Sequence, residues 1–193
     1  MRIQAGVLSA NVVSKSETHA LLSALKPDME YCRESTERKM KQLRLYIDTS
    51  VFGGCFDDEF SEESKRLLET TSSGHVVFLV SEVVLAELRR APQNVQNLFQ
   101  TIPDEALELL DKSPETVALS QAYLAARVVT AKSRNDAEHV AYATVARADA
   151  IVSWNFKHIV RLDRIKGFNK VNFENGYGVL QIVSPKEVLF GEN

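Results

Sequence analysis

The chain has 193 residues, of which 45% are hydrophobic and 25% are charged, and its formal net charge at pH 7 is −3. This composition is ordinary for a globular protein, and the length predicts one domain with a short appendage. The negative net charge argues against a global field that attracts nucleic acid, although a local basic patch can still bind it. No stretch reaches the roughly 18 apolar residues of a membrane span. The cysteines, Cys32 and Cys55, lack metal-ligand spacing, which is typical of a reducing cytoplasm.

Residues 1–42 differ from the rest of the chain. They are mostly polar, with one weak helical patch around Leu21 and Leu25 that Pro27 interrupts. Because such a composition buries little apolar surface, we expect an N-terminal extension, weakly structured or helical, outside a core domain at 43–193. A docked helix is the alternative interpretation.

Strand and helix signals alternate from residue 43 onward. The strand candidates are short apolar runs at 43–47, 76–80, 106–110, 150–154 and 180–184, of which 106–110 also reads as a helix. The helix candidates have apolar residues at a spacing near 3.6; they are 61–70, 81–91, 93–100, 113–129, 136–148 and, more weakly, 157–170. Ser61, Ser81 and Asp136 are the expected caps. The alternation predicts an α/β fold of three layers, with a central, mainly parallel sheet of about five strands.

Two polar side chains follow strands of this predicted sheet. Asp48 comes directly after the run 43–47, and Asn155 comes directly after the run 150–154. In open α/β sheets, binding sites lie just beyond the carboxyl ends of the strands. We therefore expect both side chains at one edge of the sheet.

Glu87 lies inside an apolar stripe. On a helical wheel it falls between Val83 and Val84, where a charge is unfavourable unless it is paired or bound to a metal. A salt bridge, or a position at the stripe edge that reaches water, is the alternative. Asp136 is predicted to cap its helix, and the small residues behind it would bring that helix start close to the sheet edge. The cap and a role in the site are compatible.

Three carboxylates that converge at one point repel one another unless a cation compensates. Their hard oxygen ligands predict Mg²⁺ or Mn²⁺. His139 and His158 have no partner at ligand spacing, and we interpret both as structural or surface residues.

The order of these residues resembles the PIN domain, the fold of VapC-like toxin ribonucleases. "YIDTSVFGG" is similar to the first motif of that family, "VSEVVLAELRR" to the second, and "SRNDAEHVAYATVARADAIVSWN" to the third and fourth together. The fourth departs from the common pattern, because Asn155 stands where many members have an Asp. A branch of the family carries a similar "WNFKH" stretch.

The resemblance implies a metal-dependent endoribonuclease, the toxin of a toxin–antitoxin pair, which cleaves RNA and is inhibited by a small antitoxin protein. Asp48, Glu87 and Asp136 would hold Mg²⁺ or Mn²⁺, Asn155 would join them in catalysis, and Ser50 and Ser153 would support them. The expected RNA contacts are the basic residues near the site, which are Lys132, Arg134, Lys157, Arg161 and Arg164, although a solvated helix face explains them equally well.

Four further points stay open on the sequence alone. The loss of one acid at Asn155 makes a catalytically weakened RNA-binding module the alternative function. Phosphoryl transfer through an aspartyl nucleophile at Asp48 would need a second Asp at position 50, where Ser50 stands. Trp154 and Phe156 are candidates for base stacking, with core packing favoured for Trp154, and a homodimer is a possible assembly.

Overall fold

The computed structural model describes residues 42–188, and in this part of the chain seven helices surround one sheet. The sheet has five strands in the order β3-β2-β1-β4-β5, and every neighbouring pair is parallel. The strands are β1 (Leu43–Ile47), β2 (Val76–Ser81), β3 (Leu107–Leu110), β4 (Ala150–Val152) and β5 (Gln181–Val183). The predicted strands are confirmed, including the stretch at 106–110 for which a helix was the alternative.

The helices of the described residues have the following bounds and pack in two groups. They are α1 (Thr49–Gly54), α2 (Ser61–Glu69), α3 (Glu82–Leu88), α4 (Gln93–Phe99), α5 (Pro114–Ala125), α6 (Arg134–Val145) and α7 (Leu162–Glu174). Helix α5 packs on α6 and α7, whereas α1 packs on α2 and α4, and α3 contacts both α1 and α6. The result is the predicted three-layer α/β/α fold with a parallel central sheet.

The centre of the sheet is fully buried. Tyr46, Ile47, Phe78, Leu79 and Ile151 are all inaccessible to solvent. These residues belong to the runs in which apolar side chains follow one another without alternation, as is usual for parallel strands covered on both faces. Because the core holds these strands in place, it also fixes the positions of the residues that follow the strand ends.

Three helices begin differently from the sequence prediction, and the helices predicted to end at 91, 129 and 148 end earlier, at Leu88, Ala125 and Val145. Helix α2 begins at Ser61, with Phe60 at the cap position, so Ser61 is not the cap. Asp136 is not a cap either: α6 begins at Arg134, because a 3₁₀ turn over Ala131–Ser133 leads directly into it. Asp136 therefore lies in the first turn, where a negative charge still interacts favourably with the helix dipole.

Helix α7 begins at Leu162, five residues later than predicted. The preceding stretch is a tight turn in which the backbone N–H groups of Ile159 and Val160 both donate to the carbonyl oxygen of Asn155. Helix α1, which follows Asp48 at once, was not predicted. No helix in the part of the chain described here is long and apolar enough to cross a membrane. The prediction of an extension at 1–42 lies, apart from Gln42, outside the described residues.

Candidate metal centre

Parallel strands bring the predicted polar residues to one edge of the sheet. Asp48 follows β1, is 5% exposed, and donates its backbone N–H to Val152 O of β4 at 3.1 Å. Ser153 and Asn155 follow β4 at the same edge. The carboxylate of Asp48 is thus buried where the sheet ends.

One oxygen of Asp48 is fixed by hydroxyl groups. Its Oδ2 accepts hydrogen bonds from Ser50 Oγ at 2.7 Å and from Ser153 Oγ at 2.5 Å. Ser50 Oγ in turn accepts a hydrogen bond from the Trp154 backbone N–H at 3.0 Å. The other oxygen, Oδ1, lies 3.8 Å from Nε2 of His139. Ser50 and Ser153 therefore orient Asp48 so that Oδ1 faces the imidazole.

Glu87 enters the same space from α3. Its Oε2 accepts a hydrogen bond from Thr49 Oγ1 at 2.8 Å and lies 3.2 Å from His139 Nε2, while Oε1 accepts one from Asn135 Nδ2 at 3.1 Å. Burial works to raise the pKa of Glu87, but the imidazole and these donors outweigh it and hold the pKa at about 2. Glu87 is therefore ionised at any physiological pH.

His139 contacts both carboxylates, so the prediction that it has no partner was wrong, whereas its burial agrees with a structural role. The side chain is 2% exposed and reaches both Glu87 and Asp48 through Nε2. Its Nδ1 is hydrogen-bonded to Tyr46 OH at 2.8 Å, and Tyr46 OH lies 2.6 Å from Ser81 Oγ. Burial works to lower the pKa of His139, but the neighbouring carboxylates raise it above its usual value.

A sequence signal for His139 existed. It stands three residues after Asp136, so both lie on one face of α6. Tyr46, Thr49 and Asn135 had no comparable signal, because their partners are distant in sequence.

Three ligand atoms meet at this point. Among the described residues, Asp48, Glu87 and His139 each offer an oxygen or nitrogen atom, and these atoms all lie within 4.8 Å of one another. Two adjacent ligand atoms of a metal ion lie 2.0–2.2 Å from the ion and about 3 Å from each other. A small movement of these side chains would therefore bring their ligand atoms into one coordination shell. Within residues 42–188, no Lys or Arg forms an ion pair with either carboxylate. The donor set therefore fits a divalent cation.

Asp136 and Asn155 border this cluster without belonging to it. Asn155 Nδ2 donates to Asp136 Oδ1 at 2.8 Å, and the Asn155 backbone N–H donates to Ser153 Oγ at 2.9 Å. Burial raises the pKa of Asp136, and the charge of Asp48 raises it further. A hydrogen bond with Ser133 and the charges of His158 and His139 lower this pKa, but they do not outweigh the burial. Asp136 therefore lies within electrostatic reach of Asp48, and Asn155 links it to β4.

A family model described as PIN domain matches residues 44–157. The chain belongs to the PIN-domain family. The match spans β1 to the turn after β4 and includes all the residues of the site just described. PIN domains are typically nucleases, and they use divalent metal ions.

The chain is also similar to solved structures. One is the crystal structure of VapBC2 from Rickettsia felis bound to a DNA fragment from their promoter, with 16% identity and a TM-score of 0.48. The similarity covers 74% of the present chain and 98% of that chain. No curated protein matches this chain.

The basic residues around the PIN-domain site fall into two classes. Lys132, Arg134 and Lys157 are exposed. Arg161 instead donates two hydrogen bonds of 2.6 Å to Asp163. The guanidinium of Arg164 is also engaged, by the carbonyl oxygen of Val128. All five remain predicted RNA contacts. Arg161 is also exposed, but its charge is paired with Asp163, so Lys132, Arg134 and Lys157 have the most charge to offer a phosphate.

Proposed function

We propose that this PIN domain is a metal-dependent endoribonuclease and the toxin of a toxin–antitoxin pair. The observation that carries the proposal is the cluster of Asp48, Glu87 and His139, whose ligand atoms lie within 4.8 Å of one another. Asp48 and Glu87 have no Lys or Arg partner in the described chain, so the repulsion between them is offset either by protonated His139 or by a bound cation. RNA is the proposed substrate because the family resemblance and the exposed basic side chains both point to it.

Each proposed ligand is oriented by its own partners. Asp48 would bind through Oδ1, because two serine hydroxyls occupy Oδ2. Glu87 is held by Thr49 and Asn135 from opposite sides. When bound, a divalent metal ion lowers the pKa of a coordinated water and stabilises the charge that develops on the phosphate. Asp136, held by Asn155, is the proposed third carboxylate at the rim.

Mn²⁺ is the metal that we propose over Mg²⁺. Oxygen donors suit both Mg²⁺ and Mn²⁺, whereas an imidazole nitrogen is a softer donor that a transition-metal ion such as Mn²⁺ accepts more readily than Mg²⁺ does. Nε2 of His139 supplies such a nitrogen, and Tyr46 OH can hold the opposite ring nitrogen in either hydrogen-bonding direction. A hydrogen-bonded second ring nitrogen is the usual arrangement for a histidine that binds a metal.

The test is cleavage of a labelled single-stranded RNA in Mn²⁺, in Mg²⁺ and in EDTA. Glu87→Gln should lower the rate by about two orders of magnitude or more, in the range seen when a metal ligand or its support is lost. Glu82→Gln is the matched control, since Glu82 is the first residue of the same helix and pairs at the surface with Lys112 at 3.0 Å. Equal rates for both variants, or full activity in EDTA, would refute the proposal.

The alternative is an RNA-binding module with weakened chemistry. Asn155 favours it, because an amide at the end of β4 supplies one negative charge fewer than the acid of the common pattern. RNA binding without cleavage in either metal would support this alternative over the nuclease.

The antitoxin partner and a cytoplasmic location are further parts of the proposal. The antitoxin rests on family membership alone, and the location rests on the cysteine pattern. Co-expression with the product of the neighbouring gene, followed by size-exclusion chromatography, tests the partner and reports at the same time whether the chain forms a homodimer.

A further inference from the structure

A cleft lies beside the candidate metal centre, between α3 and the start of α6. Its volume is about 360 Å³, and Glu87 of α3 and Asn135 of α6 both line it. These two side chains are joined by the hydrogen bond of 3.1 Å from Asn135 Nδ2 to Glu87 Oε1. The other oxygen of Glu87, Oε2, lies 3.2 Å from His139 Nε2. Because one carboxylate belongs to both places, the cleft directly adjoins the metal centre.

The end of α3 adds two arginines to this cleft. Arg89 and Arg90 follow the helix, and both are exposed and line the cleft. Their backbone is fixed, because the N–H of Arg89 donates to Leu85 O at 3.1 Å and that of Arg90 donates to Glu87 O at 2.9 Å. Within residues 42–188, neither guanidinium forms a hydrogen bond or an ion pair. Both groups are therefore available to an anion from outside.

The charges of the cleft favour an anion once their partners are taken into account. Three carboxylates line it, those of Glu82, Glu87 and Glu138. Glu82 pairs with Lys112 at 3.0 Å, and Glu87 faces His139. Of the three, Glu138 alone has no ion-pair partner in the described part of the chain, so one carboxylate opposes two unpaired guanidinium groups.

A backbone phosphate of RNA fits this combination of position and charge. A strand whose cleaved phosphate lies at the metal centre carries its next phosphate close by, and the cleft adjoins that centre on the side of α3. Guanidinium groups bind phosphate oxygens through pairs of N–H donors. Arg134, a predicted RNA contact, is the first residue of α6 and directly precedes Asn135. Basic side chains thus come from both of the helices that form the cleft.

We propose that Arg89 and Arg90 together bind a backbone phosphate of RNA next to the phosphate that is cleaved. The position relative to the cleaved phosphate rests on the proposed function, whereas phosphate binding itself does not. Neither arginine is among the RNA contacts predicted from the sequence. Phosphate contacts carry no sequence information, so this subsite positions the strand at the metal centre without choosing a base.

The experiment measures binding of a fluorescent, unstructured RNA to the full chain by anisotropy, in EDTA and at several salt concentrations. For a single strand, each phosphate that a protein neutralises contributes about 0.7 to the slope of log affinity against log salt concentration. In the double variant Arg89→Gln, Arg90→Gln, called the glutamine variant, this slope should be smaller by about 0.7. Relative to about 1 M salt, where the effect vanishes, the affinity should fall about 8-fold at 50 mM and about 3-fold at 200 mM.

Two controls separate charge and location from other effects. The double variant Arg89→Lys, Arg90→Lys, called the lysine variant, keeps both charges and should keep the slope of the wild type. Arg147→Gln removes another exposed arginine, which lines a second cleft of about 360 Å³. Arg147 precedes β4, whereas Asp48 follows the parallel strand β1, so the two lie at opposite edges of the sheet. Arg147→Gln should therefore leave the slope unchanged.

Cleavage kinetics connect the subsite to the reaction. The glutamine variant should raise KM by about the factor by which it weakens binding and leave kcat within about twofold of the wild type. The reason is that a contact outside the reacting atoms holds the substrate and the transition state equally. A fall in kcat at unchanged KM would place the arginines at the reacting atoms and refute the neighbouring position.

Several binding results would overturn the inference. They are an unchanged slope in the glutamine variant, the same reduction in Arg147→Gln, or a reduction in the lysine variant as large as in the glutamine variant. Loss of a protein partner with unchanged RNA binding would assign the two arginines to a protein interface instead. A wild type that never cleaves RNA, although the glutamine variant has the smaller slope, would refute the nuclease and keep the phosphate subsite. A wild type that cleaves RNA while the slope is unchanged would refute the subsite alone.

Discussion

Replacement of Gly54 by alanine should destabilise the protein and disturb the site through Trp154. Gly54 is the last residue of α1 and is buried. A Cβ atom added there would lie 2.6 Å from Ser64 Oγ and 2.7 Å from Trp154 Nε1. These two atoms are joined by a hydrogen bond of 2.8 Å. The methyl group would therefore enter the space of a buried donor and of its acceptor at the same time.

The net change can be worked out from three contributions. Overpacking of this kind costs about 1–3 kcal/mol. Loss of the Trp154–Ser64 hydrogen bond adds roughly 0.5–1.5 kcal/mol. The better helix propensity of alanine offsets up to about 1 kcal/mol. We expect the free energy of unfolding to fall by about 0.5–4.5 kcal/mol and Tm to fall by about 1–18 °C for a chain of this size.

Gly53→Ala is the control, because the two glycines are adjacent in the same helix. No atom lies within 4 Å of a Cβ added at Gly53. This variant should gain about 0.4–1 kcal/mol. Thermal and urea unfolding measure both variants, and fluorescence of the single tryptophan should change for Gly54→Ala alone. A Gly54→Ala variant as stable as Gly53→Ala would refute the reasoning.

Three further predictions concern the site. Tyr46→Phe, which removes the partner of His139 Nδ1, should lower stability by about 1–3 kcal/mol and weaken Mn²⁺ binding in calorimetry; unchanged affinity would contradict this. Asp136→Asn should abolish Mn²⁺-dependent cleavage yet leave the metal-free Tm equal or slightly higher, because the pKa of Asp136 is raised in the folded state; full activity would exclude Asp136 from the site. In EDTA, the ion pair of Glu87, with its lowered pKa, and His139, with its raised pKa, stabilises the fold most between about pH 4.5 and pH 6.5. The stability contributed by Glu87 is lost as the pH falls toward 2, and that contributed by His139 is lost as the pH rises through its folded pKa. In urea titrations at several pH values, His139→Gln should reduce the loss of unfolding free energy at rising pH. An equal loss in this variant would refute the role of His139.

The strand ends could be predicted because their signal is local. A short apolar run that stops at Asp48 identifies both the buried strand and the edge of the sheet. The same logic placed Asn155 beyond β4. Parallel pairing then brings both residues to one edge, whatever the details of the connecting helices.

Helix α1 could not be predicted in this way. It consists of Thr, Ser, Val, Phe and two Gly residues, all of which are weak helix formers, and it has only six residues. Its stability comes from tertiary packing, since Val51 and Phe52 are fully buried. Propensity arguments carry no information about such packing.

His139 escaped prediction for a different reason. On the sequence, a single histidine among Ala137, Val140 and Ala141 reads as a core residue, and burial confirms that part. Its partners, Glu87 and Asp48, lie on other elements, 52 residues and more away. Contacts of this kind arise only when the sheet order is fixed, and the sheet order cannot be read from a spacing.

Asn155 makes physical sense beside a cluster that contains two carboxylates and is bordered by a third, that of Asp136. An aspartate there would face Asp136 across the 2.8 Å that now separates Asn155 Nδ2 from Asp136 Oδ1. Two carboxylates at that distance cannot both be ionised without a cation between them. The amide instead donates a hydrogen bond and lowers the electrostatic repulsion, while its oxygen holds the turn that carries Phe156. Asn155 thus reduces the charge beside the site and at the same time fixes the turn that follows β4.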